Sequence, residues 1–203
     1  MAGIIDTFKE HYAKDRKAWR KWLEKNHAKS RGIWLVYYKK DSGKSRVPYA
    51  DAVEEALCFG WIDTTQRPRD EYSSQQLFMP RKEKSNWSKL NKERVAKMEK
   101  EGLMTDAGRE KIEIAKKNGS WTKLDAVENI ELPPELEKAF ARNKTAKKNF
   151  DAMSKTAQKE FLYWLHNTKK EDVRNQRVAD IIRLTKQNIK LHRMENGKMI
   201  RNV

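Results

Sequence analysis

The sequence predicts an α+β fold, with a small mixed sheet and helices in the N-terminal part, followed by an all-α C-terminal module. Residues 33–38 form a continuous β-branched and aromatic run, which is typical of a strand. Two further strand-like runs, 61–63 and 71–79, lie on either side of a polar stretch. From Asn86 onward the apolar residues follow a helical spacing, which supports the helical module.

The N-terminal elements are expected to alternate between strands and helices. Residues 4–12 are compatible with a first strand, and Asp15 is the expected N-cap of a helix that ends near Asn26. The run at 33–38 is too continuous for a half-exposed strand, so we expect it to be central in its sheet. A helical run beginning after Pro48 ends at Gly60, the expected left-handed residue beyond the helix.

A hairpin is expected after this glycine, because the stretch 61–63 leads into one strand and the run 71–79 forms a second. If the two strands pair, basic residues gather near one rim, with Trp61 and Trp87 as flat apolar walls. Such a hollow would suit an anionic ligand. The candidate anion-binding residues are Lys39, Lys40, Trp61, Asp63, Arg67, Arg81, Lys84 and Trp87.

The C-terminal part is expected to be helical. Helices should begin after a cap at Asn86 or Ser88 and after a cap at Thr105. Four more are expected at about 134–142, 144–152, 154–167 and 171–191, after an irregular segment at 121–131. We therefore expect an α+β domain at 1–125, a helical module at 130–195, and a flexible tail at 196–203.

The chain is strongly basic, with a formal charge of +16. Residues 135–203 hold 17 Lys/Arg against 8 Asp/Glu, a net +9, and the first 134 residues carry the remaining +7. A basic balance favours phosphate-rich partners or anionic surfaces through long-range attraction. A lysine-rich surface that serves solubility alone would give the same balance.

Several classes of site are disfavoured by the residue pattern. The single cysteine, Cys58, excludes an intramolecular disulfide, and its apolar neighbours indicate a small buried thiol. The four histidines are scattered and no glycine-rich phosphate loop is present, so we expect neither a metal site nor a cofactor. The N-terminus lacks a signal-peptide pattern and no run approaches the roughly 20 apolar residues of a membrane helix, so we expect a cytoplasmic protein without membrane insertion.

Two other functions compete with a small anionic ligand. The last helix carries a basic stripe that spans about 80° of the helical wheel and could follow the phosphates of a nucleic acid, although it could equally be a solvated face. An enzyme acting on a phosphorylated small molecule is a weaker alternative. It would need Asp63 as an acid, whereas an ion pair of Asp63 with Arg67 or Arg81 is the simpler expectation. The residues of the stripe are Arg183, Lys186, Lys190 and Arg193.

A series of long, Trp-rich motifs resembles a known family. The motifs are WLEKNH at 22–27, IWLVYYKK at 33–40, EEALCFGWID at 54–63, PRK at 80–82, WSKLN at 87–91 and MTDAG at 104–108. In this order they resemble the bacterial YdeI/OmpD-associated family, also called bacteriocin-protection or OmdA-like proteins. Residues 132–190 resemble the short helical module of that family, so the resemblance covers nearly the whole chain.

Two departures from the family pattern stand out. Thr64, Thr65 and Gln66 replace a small residue and a basic run, which leaves Arg67 as the only near basic equivalent. In the helical module Val173 precedes Arg174 where the family has a threonine, so the hydroxyl of that threonine is lost here.

The resemblance implies a role in protection against antimicrobial peptides and an association with an outer-membrane porin, and it supplies no catalytic residues. Direct capture of such peptides is disfavoured, since they are usually cationic and a protein at +16 repels them. We therefore expect a non-enzymatic protein that acts in stress or bacteriocin tolerance by binding an anionic partner.

Overall fold

The structure is a computed structural model that describes residues 4–168 and 170–191, together with the backbone of two short strands, Met194–Glu195 and Lys198–Met199. The chain divides into two compact units, Met1–Lys123 and Leu124–Val203. The α+β class is confirmed, because the first unit contains a four-stranded mixed sheet and the second is mostly helical. The expected domain boundaries remain a prediction, and most of the expected tail lies outside the described residues.

The sheet of the first unit has the strand order β1-β2-β4-β3. β1 pairs with β2 in parallel, whereas β2 with β4 and β4 with β3 are antiparallel. The expected central position of the 33–38 strand is confirmed, since β2 has a neighbour on each side. The strands are β1 Glu10–Tyr12, β2 Ile33–Tyr38, β3 Trp61–Asp70 and β4 Ser73–Pro80.

Four α-helices accompany the sheet among the residues described in the first unit. Asp15 caps α1 as expected, because its side chain accepts a hydrogen bond from the Ala18 N–H at 2.8 Å. Ser88 caps α3 in the same way. The helices are α1 Arg16–Asn26, α2 Tyr49–Cys58, α3 Lys89–Lys100 and α4 Asp106–Lys117.

The two faces of the sheet have different neighbours. Ile33, Leu35 and Tyr37 belong to the hydrophobic core that includes residues of α1 and α2, and we call this the helix-side face. On the opposite, outer face the Trp34 indole donates a hydrogen bond to the Ile5 carbonyl at 2.9 Å. The N-terminal segment therefore lies against the outer face.

The end of α2 and the start of α4 are in backbone contact. Gly60 has a φ of +71°, as expected for the residue that ends the helix, and a Cβ there would lie 2.9 Å from the Ala107 carbonyl oxygen. A Cβ at Gly108 would lie 2.4 Å from the Cys58 carbonyl oxygen. That oxygen also accepts hydrogen bonds from the Thr105 N–H at 3.2 Å and hydroxyl at 2.6 Å. Glycine is thus required at both positions for this close approach.

In the described part of the second unit, five α-helices surround an aromatic core that includes Phe140, Phe150 and Phe161. The short helix α5 interrupts the segment that the sequence predicts to be irregular. The other helices follow the predicted order closely until the last one. The helices are α5 Asp125–Glu128, α6 Pro134–Ala141, α7 Lys144–Ala152, α8 Lys155–His166 and α9 Glu171–Lys186.

The prediction that the last helix extends to residue 191 is wrong. α9 ends at Lys186, and Asn188 adopts a left-handed φ of +56°. The Ile189 N–H then folds back to the Leu184 carbonyl at 2.9 Å, which is the bonding pattern of a helix C-terminus. None of the described helices has both the length and the apolar character that crossing a membrane requires.

Candidate ligand-binding site on the sheet

The two arginines at the centre of the predicted anion site lie on opposite faces of the sheet. Arg67 is paired with Gln75 on the outer face, where its guanidinium lies 4.1 Å from the centre of the Trp34 ring and 2.5 Å from Asp6. Arg81 instead stacks on Trp87, which belongs to the core on the helix-side face. The prediction that Arg67 and Arg81 share one hollow is therefore wrong.

A β-bulge explains this separation. Asp63 pairs with Phe78, and Gln66 pairs with Gln76. Between these two pairs β3 advances by three residues, whereas β4 advances by only two. Because side chains alternate along a strand, the extra residue moves Arg67 to the face opposite Asp63 and brings Gln66 to the helix side. The bulge falls on Thr64 and Thr65, where the sequence departs from the family pattern.

Arg81 and the two tryptophans are part of the core. Arg81 is 3% exposed, its guanidinium lies 3.7 Å from the centre of the Trp87 ring, and its Nη2 donates to the Asn86 carbonyl at 2.6 Å. Trp61 and Trp87 are each 1% exposed, so they cannot form the open walls of a hollow. Burial lowers the pKa of Arg81 to about 10, and attraction to Asp63 opposes that shift.

The predicted lysines lie apart from this cluster. The Lys39 N–H donates to the Tyr72 carbonyl at 2.9 Å, which places Lys39 beside the start of β4, whereas Arg81 follows its end. At about 3.4 Å per strand residue, these positions are roughly 25 Å apart. Lys40 begins a short 3₁₀ turn and Lys84 lies in the loop after β4, and both are exposed.

Asp63 is held by a residue that the sequence did not suggest. The Tyr49 hydroxyl, at the start of α2, donates to Asp63 Oδ2 at 2.6 Å. Asp63 is close enough to Arg81 to act on its pKa, while the Nε and Nη1 atoms of Arg81 are buried without a hydrogen-bond partner in the described part of the chain. The expected ion pair is thus replaced by a phenol–carboxylate bond beside a buried guanidinium.

A cavity of about 570 Å³ opens on the helix-side face next to Tyr49. By the strand register, Tyr37 lies opposite Ser74 and Gln66 lies opposite Gln76, so all four side chains point to the same side. We call this cavity the Tyr37 pocket. It is lined by Tyr37, Arg46, Pro48, Tyr49, Gln66, Ser74 and Gln76.

The pocket contains an unsatisfied hydroxyl and an unpaired cation. The Tyr37 side chain is 5% exposed, and its hydroxyl has no hydrogen-bond partner among the described residues. The Arg46 guanidinium lies 5.8 Å from the centre of the Tyr37 ring and makes no ion pair with a described residue. An unpaired guanidinium beside a free hydroxyl can receive a carboxylate or a phosphate group.

Both phenols of the pocket keep their protons at neutral pH. Burial is the main reason that the pKa of Tyr37 is raised, with smaller contributions from Tyr49 and Asp63 against an opposing effect of Arg46. Burial, followed by the hydrogen bond to Asp63, raises the pKa of Tyr49 to about 12 against a smaller opposing effect of Arg94. The same interactions show that Tyr49, Asp63 and Arg46 all lie within electrostatic reach of the Tyr37 hydroxyl.

The loop that carries Arg46 is fixed on both sides. The Val47 N–H donates to the Ala13 carbonyl at 3.1 Å, and the Tyr12 hydroxyl donates to the Ser45 carbonyl. Sequence reasoning missed Arg46 because it is exposed in a polar loop, and it assigned Tyr37 to the buried strand. The available signal was the position of Arg46 two residues before Pro48, the N-cap of α2.

An ion network between α1, α2 and α3 was also missed. Glu55 accepts from Arg16 Nε at 2.6 Å and from Arg20 Nη1 at 2.7 Å, while Glu54 accepts from Arg16 at 2.9 Å and from Lys97 at 2.8 Å. Both carboxylates are buried and fully paired, which indicates a structural role.

Two expectations about titratable side chains can be compared with the structure. Cys58 is buried as expected, and burial raises the pKa of its thiol to about 12. In the part of the chain that the structure describes, no three His, Cys, Asp or Glu side chains come together as metal ligands would.

The basic stripe of the second unit is shorter than the sequence suggested. Arg183 is paired with Asp180 at 2.7 Å, and Lys190 lies beyond the end of α9. Arg193 lies outside the described residues. Nucleic-acid binding through Arg183, Lys186 and Lys190 therefore stays a prediction, now without a continuous helical face to support it.

Two protein-family models match separate segments of the chain. Residues 11–111 match a domain of unknown function (DUF8412). This segment of the chain includes the Trp-rich motifs and the Tyr37 pocket. Residues 129–188 match the family described as bacteriocin-protection, YdeI or OmpD-associated. No curated protein and no solved structure matches the chain. The resemblance to the bacteriocin-protection, YdeI or OmpD-associated family is thus confirmed for residues 129–188, which is a narrower segment than the sequence motifs suggested.

Proposed function

We propose that the first unit binds a small anionic molecule in the Tyr37 pocket, and that through this binding the protein acts in the cytoplasm in stress or bacteriocin tolerance. The observation that carries the proposal is the buried Tyr37 hydroxyl, which lines a cavity and lacks a partner among the described residues. The tolerance role is supported by the family description of residues 129–188.

The size and polarity of the cavity support a small-molecule ligand. A volume of about 570 Å³ lies within the roughly 300–1,000 Å³ range of ligand pockets. Leaving a buried hydroxyl unpaired costs about 1–3 kcal/mol, so a ligand that supplies the missing hydrogen bond recovers that free energy on binding. Gln66 and Gln76 offer amide groups on the same side of the sheet.

The charge of the pocket favours an anion. Among the described residues that line it, Arg46 alone is charged, and its guanidinium can make two parallel hydrogen bonds to one carboxylate or phosphate. Residues 1–123 hold 28 Lys/Arg against 18 Asp/Glu, which adds long-range attraction for negative solutes.

Nuclear magnetic resonance titration of the full chain tests this proposal directly. Inorganic phosphate, glutarate and ethyl phosphate serve as probes, with glycerol as the uncharged control, and the side-chain amide signals of Gln66 and Gln76 report on the pocket. We expect these signals to shift with the anions and not with glycerol. Arg46→Gln should weaken binding by about tenfold or more, since a charged hydrogen bond contributes about 1.5–3 kcal/mol.

A matched variant separates the pocket from general charge effects. Arg31→Gln removes one exposed positive charge from the opposite end of β2 and should leave the titration unchanged. Equal weakening by Arg31→Gln and Arg46→Gln would show that the anions follow net charge only, and the proposed site would be wrong. Turnover of ethyl phosphate during the titration would favour the enzyme alternative over binding alone.

The link to tolerance is tested in cells. Expression of the chain in a bacteriocin-sensitive bacterial strain should raise survival, and Arg46→Gln should remove that gain while Arg31→Gln retains it. If cells that express Arg46→Gln survive as well as cells that express the wild type, the tolerance role does not depend on the Tyr37 pocket.

A further inference from the structure

We propose that the Tyr37 pocket selects anions that carry a hydrogen-bond donor beside the acidic group, of which amino acids and aminoalkyl phosphates are the simplest members. This inference rests on the proposed binding function and names its ligand class. It comes from the way in which Asp63 fixes the proton of Tyr49.

The phenol of Tyr49 can only accept a hydrogen bond from a ligand. An ionised carboxylate has no hydrogen to donate, so the proton in the 2.6 Å contact between Tyr49 and Asp63 Oδ2 comes from the phenol. The lone pairs of the phenol oxygen are left for other donors. Tyr49 lines the pocket and is 48% exposed, so a ligand can reach it.

The pocket therefore has a positive and a negative pole. Arg46 supplies the positive pole, while Tyr49 with Asp63 behind it supplies the negative one. Arg46 favours the loss of the Tyr37 proton and Asp63 opposes it, which places both charges within electrostatic reach of the same hydroxyl. A purely anionic ligand would satisfy Arg46 and leave the negative pole without a donor.

The spacing of the two poles suits a small molecule. Pro48 has an extended backbone, with φ −59° and ψ 142°, between Arg46 and Tyr49. Three residues of extended chain span at most about 10–11 Å between Cα atoms. Because both residues line the pocket, one small ligand can meet both of them through acidic and amino groups a few bonds apart.

The negative pole is built into the sheet. Asp63 lies on the helix-side face of β3 opposite Phe78, and the buried Arg81 guanidinium attracts it. The bulge that follows Asp63 brings Gln66 into the lining. The same strand irregularity that displaced Arg67 thus adds an amide group to the pocket beside this acceptor.

Two matched pairs of probes test the inference, each differing only in an amino group: glutamate against glutarate, and phosphoethanolamine against ethyl phosphate. Dissociation constants are measured for the full chain from the Gln66 and Gln76 side-chain signals. We expect the amino-bearing member of at least one pair to bind about tenfold more tightly. The pair that shows the preference distinguishes a carboxylate ligand from a phosphate ligand.

Variants of the negative pole should remove this preference. In Tyr49→Phe and in Asp63→Asn the affinity ratio within the preferred pair should fall to near one, whereas Arg31→Gln should leave it unchanged. Tyr49→Phe keeps the ring, so it remains informative if Asp63→Asn loses the dispersed spectrum of a folded chain.

The outcomes separate the two proposals. Equal binding of both members in both pairs, with weakening by Arg46→Gln, would overturn the donor requirement and leave the anion site standing. A preference that persists in Tyr49→Phe would also overturn it. Probes that bind without any effect of Arg46→Gln would overturn the anion site itself, and the donor requirement with it.

Discussion

Replacing Gly108 by alanine should destabilise the first unit, although alanine is the better helix former. Gly108 is the third residue of α4, and a Cβ at this position would lie 2.4 Å from the Cys58 carbonyl oxygen and 2.8 Å from that of Leu57. Both contacts are with backbone at the end of α2, so they cannot be relieved by a side-chain rotation.

The magnitude follows from two opposing effects. Alanine in a helix interior gains about 1 kcal/mol over glycine. Overpacking typically costs about 1–3 kcal/mol, and α4 must also move away from the carbonyl to which Thr105 donates two hydrogen bonds, each contributing about 0.5–1.5 kcal/mol. We expect the second effect to win, with a net loss of about 1–3 kcal/mol in the free energy of unfolding.

Urea denaturation followed by tryptophan fluorescence measures this loss, because six of the seven tryptophans lie in residues 1–123. With a typical slope of about 1–3 kcal/mol per molar urea, the midpoint should fall by about 1 M. Gly43→Ala is the matched control, since Gly43 has a φ of +68° and an added Cβ would meet no atom within 4 Å, so it should cost only the roughly 1 kcal/mol of left-handed strain. A higher urea midpoint for Gly108→Ala than for the wild type would refute the close backbone contact between α4 and the end of α2.

Two further predictions concern the charged residues. Burial alone would raise the pKa of Glu54, but its two cationic partners outweigh burial and hold the pKa below the ordinary 4.5. The stabilisation is therefore present above pH 4.5 and lost as the pH falls, so Glu54→Gln should reduce the acid dependence of the unfolding free energy between pH 7 and about 3. In the second unit, the double variant Arg183→Glu with Lys190→Glu should weaken binding of double-stranded DNA no more than the charge-matched Arg142→Glu with Lys148→Glu. A larger loss of DNA affinity, with a weaker dependence of that affinity on salt, for the Arg183→Glu and Lys190→Glu variant alone would support the predicted basic stripe.

The elements that the sequence predicted well are those with local signals. The aromatic run 33–38 had enough continuous apolar surface to indicate a central strand, and the cap at Asp15 depends on contacts within one helical turn. Gly60 was expected to be left-handed because it ends an apolar helical run, and its positive φ agrees. Each of these features is determined by neighbours within a few residues.

The face on which Arg67 lies could not be predicted, because it depends on one inserted residue. Simple alternation from Asp63 would place Arg67 on the helix side, as the expected shared hollow required. No glycine or other bulge signal marks Thr64 and Thr65, so only the pairing with β4 reveals the shift.

The Tyr37 pocket was missed because its groups come from separate parts of the chain. Tyr37 lies on β2, Gln66 on β3 and Gln76 on β4, while Arg46 comes from a loop. Only the strand register brings them together. The hydroxyl of a tyrosine in an apolar run gives no sign in the sequence of whether it finds a partner.

The attachment of the Arg46 loop to the first strand links two distant parts of the chain. Because Ala13 directly follows β1 and accepts the Val47 N–H, the arginine cannot shift without disturbing the segment that starts the sheet. Slow hydrogen exchange at Val47 would therefore report on the order of β1 as much as on the loop. Under the proposed binding function, a ligand held by Arg46 would therefore oppose fraying of the N-terminal strand and stabilise that edge of the sheet.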